Sequence, residues 1–282
     1  MDALPPNLKL KILSALNVDA DEASSPPSQK IPKVFELSHL DEKRLKILTK
    51  GDLVKLNEYG YLIKNGFLGD QEEMGKCREA VLELEGKSLL KPASMKGKHS
   101  WKQSKLRGDL TTWINPANDG EKNPAAIRKI VKALEDIKSE LNSALDFKCE
   151  KVSVQVAVYP GNGARYIRHR DAYPGGPQRR ITILYYLNPE WQEGDGGELR
   201  IHLPLGKSDK DSIADDCFPT NKGKNNKRAL KSEDGGQLRL AEERFVDIPP
   251  TADKVVMFLS EHMEHEVLPS EAKRVALTMW LY

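Results

Sequence analysis

Residues 152–186 read VSVQVAVYPGNGARYIRHRDAYPGGPQRRITILYY. Two runs in this stretch alternate with a period of two. Val152, Val154, Val156 and Val158 are interleaved with Ser153, Gln155 and Ala157, and Ile181, Ile183 and Tyr185 with Thr182, Leu184 and Tyr186. That period belongs to β-strands, whose successive side chains point to opposite faces. Between the two runs, a Pro/Gly-rich loop carries His169 and Asp171. On extended backbone, residues i and i+2 project to one side, so an imidazole and a carboxylate share a face. Two histidines and one carboxylate with open positions form the non-haem Fe(II) oxygenase arrangement. The stretch holds two of the three ligands. A His-x-Asp pair is weak evidence alone, because a turn histidine beside a solvated aspartate is the ordinary alternative.

Working outward, GGELRIHL (196–203), VVMFLS (255–260) and RVALTMWLY (274–282) are further short strands between Gly, Pro and Asn turns. Upstream the period changes. Ile127, Ile130, Val131, Leu134, Ile137, Leu141 and Leu145 recur at spacings of mostly three and four, one apolar face of a helix. Asn123-Pro124 predicts its start, as cap and first-turn proline. Asp70 with Glu73 predicts a capping-box start for a helix through Leu84, stopped at Gly86. Leu53–Tyr59 reads as helical and 60–69 as a strand entering a turn. Helices first and strands afterwards predict an α+β fold. Its core is expected to be a mainly antiparallel double-stranded β-helix (jelly roll) buttressed by N-terminal helices. The expected boundaries are an N-terminal extension at 1–37, a helical support region at 38–150 and the core at 151–282, with 38–282 as one structural unit. The extension combines an amphipathic 7–16 with a Ser/Pro-rich linker, and the core is interrupted by a polar excursion at 205–242.

Composition excludes several classes. The chain has 282 residues, 39% hydrophobic and 30% charged, with a formal net charge of +2. So small a net charge makes no general case for nucleic acid or an acidic membrane. The basic loops at 91–107 and 222–231 hold a single stacking aromatic, Trp101, so nucleic acid is not the favoured partner. Cys77, Cys149 and Cys217 are odd in number and far apart, which encodes neither a disulfide framework nor a zinc knuckle. No signal-peptide core or bilayer-length apolar run is present, so a cytoplasmic or nuclear location without membrane attachment is expected.

Five histidines remain as the second imidazole: His39, His99, His202, His262 and His265. Only His265 lies after one predicted strand and before another, with His262 as its rival. Nine residues on, Arg274 opens the last strand. Arg274, Ala276, Thr278 and Trp280 share one face, and Val275, Leu277 and Met279 the other. The second set reads as packing against helices, which turns Arg274 into the barrel. A buried guanidinium needs an anion, and its planar fork suits a carboxylate. A structural Asp or Glu could serve, as could a small dicarboxylate ligand.

The order His169-x-Asp171, His265, Arg274 resembles the 2-oxoglutarate/Fe(II) dioxygenases. YPGNGARYIRHRD, RRITILYYLNPEW, GGELRI, HEVLPSEAKR and the final TMW resemble the prolyl 4-hydroxylase family, most closely its hypoxia-inducible-factor prolyl hydroxylase type. The resemblance runs from about Leu53 to Tyr282. It implies that His169, Asp171 and His265 bind Fe(II). It also implies that Arg274, helped by Tyr186, pairs with the distal carboxylate of the cosubstrate 2-oxoglutarate, with Tyr159 near its chelating end. Arg107 and Asp109 match a short motif of the family's substrate-covering loop, with a local ion pair as the alternative, and Trp280 would form a pocket wall. The implied reaction consumes O2 and 2-oxoglutarate, with ascorbate as reductant, and hydroxylates proline in a protein, with oxygen sensing as a possible setting. Implied partners are a transcription factor, a ubiquitin-ligase adaptor or a translation factor. The same chemistry on another side chain, a nucleic acid or a small molecule is the alternative. The 205–242 excursion is longer than the family's usual connection and leaves the substrate open.

Overall fold

The 21-residue stretch Ala125–Leu145 is one helix, and its predicted apolar face is the buried one: Ile127, Ile130, Val131, Leu134, Ile137 and Leu141 are all within 1% of full burial. In the computed structural model, which describes residues 31, 33–93, 107–115, 120–203 and 244–282, this helix is the third of three. We label them α1 (Lys50–Tyr59), α2 (Gln71–Gly86) and α3 (Ala125–Leu145). A reciprocal Thr49/Asp52 capping box opens α1, and Gly60 closes it in the left-handed region at φ 77°. Asp70 caps α2 through Glu73 N. The Glu73 carboxylate, however, turns to Lys129 on α3, so the predicted box is only half formed. Gly86 belongs to the helix rather than stopping it. At α3 the cap position is held by Pro124 on extended backbone, without a side-chain cap, so Asn123 does not play the predicted role.

Among the described residues there are eleven strands. They are β1 (Tyr61–Asn65), β2 (Lys91–Pro92), β3 (Leu110–Ile114), β4 (Val152–Tyr159), β5 (Ala164–His169), β6 (Ile181–Tyr186), β7 (Leu199–Leu203), β8 (Arg244–Ile248), β9 (Lys254–Leu259), β10 (Glu264–Ser270) and β11 (Arg274–Leu281). All pairings are antiparallel. The order is β1-β9-β6-β11-β4-β3-β2 in the larger sheet and β5-β10-β7-β8 in the smaller. This is the expected α+β architecture with a jelly-roll core. Val154, Val156 and Val158 of β4 join Val275, Leu277 and Met279 of β11 and the apolar face of α3 in one hydrophobic core. Each fully buried aliphatic side chain there contributes at most about 1.5–3 kcal/mol. Because the helices take that face, the alternate residues of β4, β6 and β11 line the inside of the roll.

Four strands escape the sequence reading, and the first is β2, at the start of the stretch read as a basic loop. His169 is the last residue of β5 rather than a loop residue, and β8 and β10 were not anticipated as strands. Pro269 disguises β10, since it has no N–H to give a ladder. It is accommodated where the β10–β5 register shifts between Val267 and Ser270. The helix predicted at 7–16 and the excursion at 205–242 lie outside the described residues. Among the described residues, no helix is long and apolar enough to cross a membrane.

Candidate active site

Pairing of β10 with β5 sets His265 directly opposite His169, 96 positions apart in the chain. Their rings lie 4.2 Å apart between centroids. Asp171, in the turn after β5, completes the group, and one ligand atom from each residue lies within 4.8 Å of the others. Nε2 of His169 is 3.7 Å from Asp171 Oδ1, and Nε2 of His265 is 3.8 Å from Oδ2. Each imidazole is turned by the same device. Nδ1 of His169 lies 2.8 Å from the Ile167 carbonyl and Nδ1 of His265 lies 3.1 Å from that of Met263. A carbonyl can only accept, so Nδ1 carries the proton and the Nε2 lone pair is free to face a cation held between the imidazoles and the carboxylate. His262, the rival, is half-buried in the turn before β10 and stands outside this group.

Electrostatics favour the ligating forms. Burial, with His169 beside it, pushes the His265 imidazole down to about 4, and the pull of Asp171 does not offset this. Burial works on Asp171 in the opposite sense. The imidazoles and the Trp280 N–H outweigh it and hold the carboxyl well below the usual carboxylate range. A neutral imidazole and an ionised carboxylate are the forms that bind a metal.

Asp171 Oδ2 accepts two hydrogen bonds, from Thr182 Oγ1 at 2.7 Å and from Trp280 Nε1 at 3.0 Å. The Trp280 ring is covered by the Arg179 guanidinium at 4.0 Å and meets Trp113, an exposed aromatic, at 5.6 Å. Thr182, Ser260 and Arg179 were not singled out from the sequence. The available signal for Thr182 was its parity with Tyr186 on β6. Nothing local marks Ser260.

Further along the inner face, Arg274 is 2% exposed. Its Nε donates to the Gly197 carbonyl at 2.8 Å, while Nη2 is buried and makes no hydrogen bond. The guanidinium carbon stands 4.9 Å from the ring of Tyr159, its partner across β4, and 5.0 Å from that of Tyr186. The Tyr186 hydroxyl is also buried without a hydrogen bond. Burial raises the Tyr186 phenol, and Arg274 offsets only part of this. Among the described residues no carboxylate pairs with Arg274. A buried cation and a buried hydroxyl left over together fit an anion from outside the chain. The donor set therefore fits both a divalent iron and a small carboxylate.

Arg107 and Asp109 pair with each other. Nε and Nη2 of Arg107 donate to the two carboxylate oxygens at 2.6 and 2.8 Å, and the Asp109 side chain is fully buried beneath. The Arg107 fork lies 4.4 Å over Tyr166, whose ring stacks on His169 at 3.7 Å. Cys77 and Cys149 are buried thiols, and burial pushes Cys77 up to about 12. Cys217 lies outside the described residues.

Comparison with known proteins decides the family. A profile described as the 2OG-Fe(II) oxygenase superfamily matches residues 154–226 and 220–282. The chain is 32% identical over 234 residues to mouse (Mus musculus) "Prolyl hydroxylase EGLN3", covering 80% of each chain. This chain belongs to the 2-oxoglutarate/Fe(II) oxygenases, in the prolyl hydroxylase branch. Among solved structures, this oxygenase is similar to a Pseudomonas putida prolyl-4-hydroxylase, with TM-score 0.59 and 25% identity over 82% of this chain and 97% of that one. It is also similar to a Trichoplax adhaerens prolyl hydroxylase in complex with a hypoxia-inducible-factor peptide fragment. There the TM-score is 0.58 and the identity 26%, over 81% of this chain and 86% of the other. The oxygenase is thus a 2-oxoglutarate-dependent dioxygenase that uses Fe(II).

Proposed function

We propose that the protein is a peptidyl-prolyl 4-hydroxylase, in which His169, Asp171 and His265 hold Fe(II) and Arg274 with Tyr186 holds the distal carboxylate of 2-oxoglutarate. The observation that carries this reading is the presence, inside one roll, of a His/Asp/His set beside an Arg/Tyr pair whose buried polar atoms are unused. Iron, when bound, supplies the activation of O2 that couples decarboxylation of 2-oxoglutarate to hydroxylation. The chain's own residues bind, orient and exclude water. Arg274 is held by the Gly197 carbonyl through Nε, which leaves Nη2 for the anion. Tyr186 donates its hydroxyl proton to the same carboxylate, and Tyr159 closes the pocket across β4. Both phenols stay protonated because burial raises them.

The proposed substrate is a proline in a protein, read from the names of the relatives and from the relative that binds a peptide, and the proposed compartment is the cytoplasm or nucleus. A transcription factor, a ubiquitin-ligase adaptor and a translation factor are the candidate partners, oxygen sensing is the proposed setting, and ascorbate is the proposed reductant. The substrate-side residues we propose are Arg107, Asp109 and Trp280, of which Arg107 lies over Tyr166 next to His169. Iron-loaded protein with 2-oxoglutarate should form succinate and add one oxygen to proline-containing peptides, read by mass spectrometry. Asp171→Ala and His265→Ala should both abolish succinate formation. Oxygen gain by oligonucleotides but not by peptides would refute the substrate class, and full activity in either variant would refute the ligand set.

A further inference from the structure

The carboxylate of Asp171 does not stand alone. Its Oδ2 takes the hydroxyl of Thr182, and Thr182 Oγ1 in turn lies 2.9 Å from Ser260 Oγ. All three residues are buried, and Ser260 and Thr182 are at most 1% exposed. The proton count gives this chain a direction. An ionised carboxylate can only accept, and a threonine hydroxyl has one proton. With that proton on Asp171, the Thr182 oxygen must accept, so Ser260 donates. Ser260 O–H to Thr182 O–H to Asp171 Oδ2 is therefore a one-way relay of polarised hydrogen bonds, each strengthening the next in a low-dielectric interior.

Two further features tie this relay to the metal set. With Thr182 and Trp280 both donating to Oδ2, the lone pairs of that oxygen are committed, and Oδ1, which has the Arg179 guanidinium at 3.9 Å but accepts no hydrogen bond from it, is the oxygen left to offer. Meanwhile the Ser260 backbone closes the loop that carries Asp171. Ala172 N donates to the Ser260 carbonyl at 3.2 Å, and Ser260 N donates to the Arg180 carbonyl at 3.1 Å. One residue thus clasps both ends of 172–180 through its main chain and orders Asp171 through its side chain.

We propose that Ser260 is a positioning residue for the metal centre, acting through Thr182 to fix which oxygen of Asp171 faces the ion. This rests on the reading of His169, Asp171 and His265 as metal ligands. Ser260→Ala keeps the backbone clasp and removes only the donor, so the side-chain role can be tested apart from folding.

The test is Mn(II) titration of metal-free protein, followed by loss of the free-ion electron paramagnetic resonance signal, with thermal unfolding in EDTA as the control for folding. Thr182→Val should weaken Mn(II) binding about 10- to 100-fold, as loss of outer-shell partners generally does. Thr182→Ser, which keeps the hydroxyl, should stay within about twofold of the parent, and Ser260→Ala should lose about three- to tenfold. The decisive comparison is the double variant. If Ser260 acts only through Thr182, adding Ser260→Ala to Thr182→Val should cost nothing more. Parental Mn(II) affinity in Ser260→Ala would overturn the proposal, as would the same factor lost in both backgrounds. If the parent protein itself takes up no Mn(II), the ligand reading falls and the proposal with it. Binding by the parent that is insensitive to Ser260→Ala removes the relay alone.

Discussion

Replacing Tyr186 by phenylalanine removes one oxygen, and the structure requires two measurements to move in opposite directions. In the chain alone the Tyr186 hydroxyl is fully buried and makes no hydrogen bond. A buried hydroxyl without a partner costs about 1–3 kcal/mol. Protein without metal or cosubstrate should therefore be at least as stable as Tyr186→Phe as it is in the parent form. In the presence of 2-oxoglutarate the same hydroxyl would bond to a carboxylate already paired with Arg274. A hydrogen bond to a charged group contributes about 1.5–3 kcal/mol, or about 10- to 100-fold in Kd. Urea unfolding followed by tryptophan fluorescence measures the first effect, and calorimetric titration of Mn(II)-loaded protein with 2-oxoglutarate measures the second. Loss of more than about 1 kcal/mol in cosubstrate-free protein would mean that the hydroxyl is already satisfied within the chain. An unchanged Kd would remove Tyr186 from the anion clamp. A neutral or positive change in stability together with weaker binding distinguishes a ligand-directed hydroxyl from an ordinary core tyrosine, for which only stability would move.

Three further outcomes follow from the same geometry. Gly197 sits at φ +74°, and a Cβ there would lie 2.6 Å from Ser270 Oγ and 3.0 Å from Arg274 Cδ. Gly197→Ala should raise the KM for 2-oxoglutarate about tenfold or more by shifting Arg274, with Mn(II) affinity unchanged; a parental KM would show that the guanidinium position does not matter. Asp253 accepts hydrogen bonds from Leu68 N, Gly69 N and Tyr185 Oη at 2.8–3.0 Å and itself holds φ 56°. Asp253→Ala should cost about 3 kcal/mol or more in urea unfolding, and a loss under 1 kcal/mol would contradict the buried network. Since the folded pKa of His265 is depressed to about 4, the unfolded chain, near the ordinary 6.5, takes up the proton first. Metal-free protein should therefore gain stability as pH rises from about 4 to about 6.5, by at most about 3 kcal/mol. The slope should flatten in His265→Gln, and an identical slope in that variant would refute a buried neutral imidazole.

How far the sequence carried depended on whether the signal was local. Strand parity on β11 sufficed to predict that Arg274 points inward and Val275 outward, because a period of two leaves only two faces. The apolar spacing of α3 likewise predicted its buried face from Ile127 to Leu141, although Leu145 is only half-buried and Glu140 and Ala144 are buried as well. Helix ends were read less well, since whether Asn123 or Pro124 holds the cap depends on one backbone angle that many residues can adopt. Strand β10 was missed because Pro269 looks like an interruption until its register shift against β5 is known. Trp280 shared a face with Arg274 in the sequence, yet its bond to Asp171 comes from the closure of the roll.

Residues 152–186 by themselves determined the strand pattern and supplied His169, Asp171, Tyr159 and Tyr186. With the motifs downstream they also determined the resemblance. Only the tertiary structure decided that His265 faces His169, that Arg107 and Asp109 are spent on each other, and that Ser260 and Thr182 stand behind the carboxylate. The reason is physical. Periodicity records which face a side chain takes relative to its own strand, whereas register, tautomer and the direction of a hydrogen bond depend on partners that the chain brings in from nearly a hundred residues away.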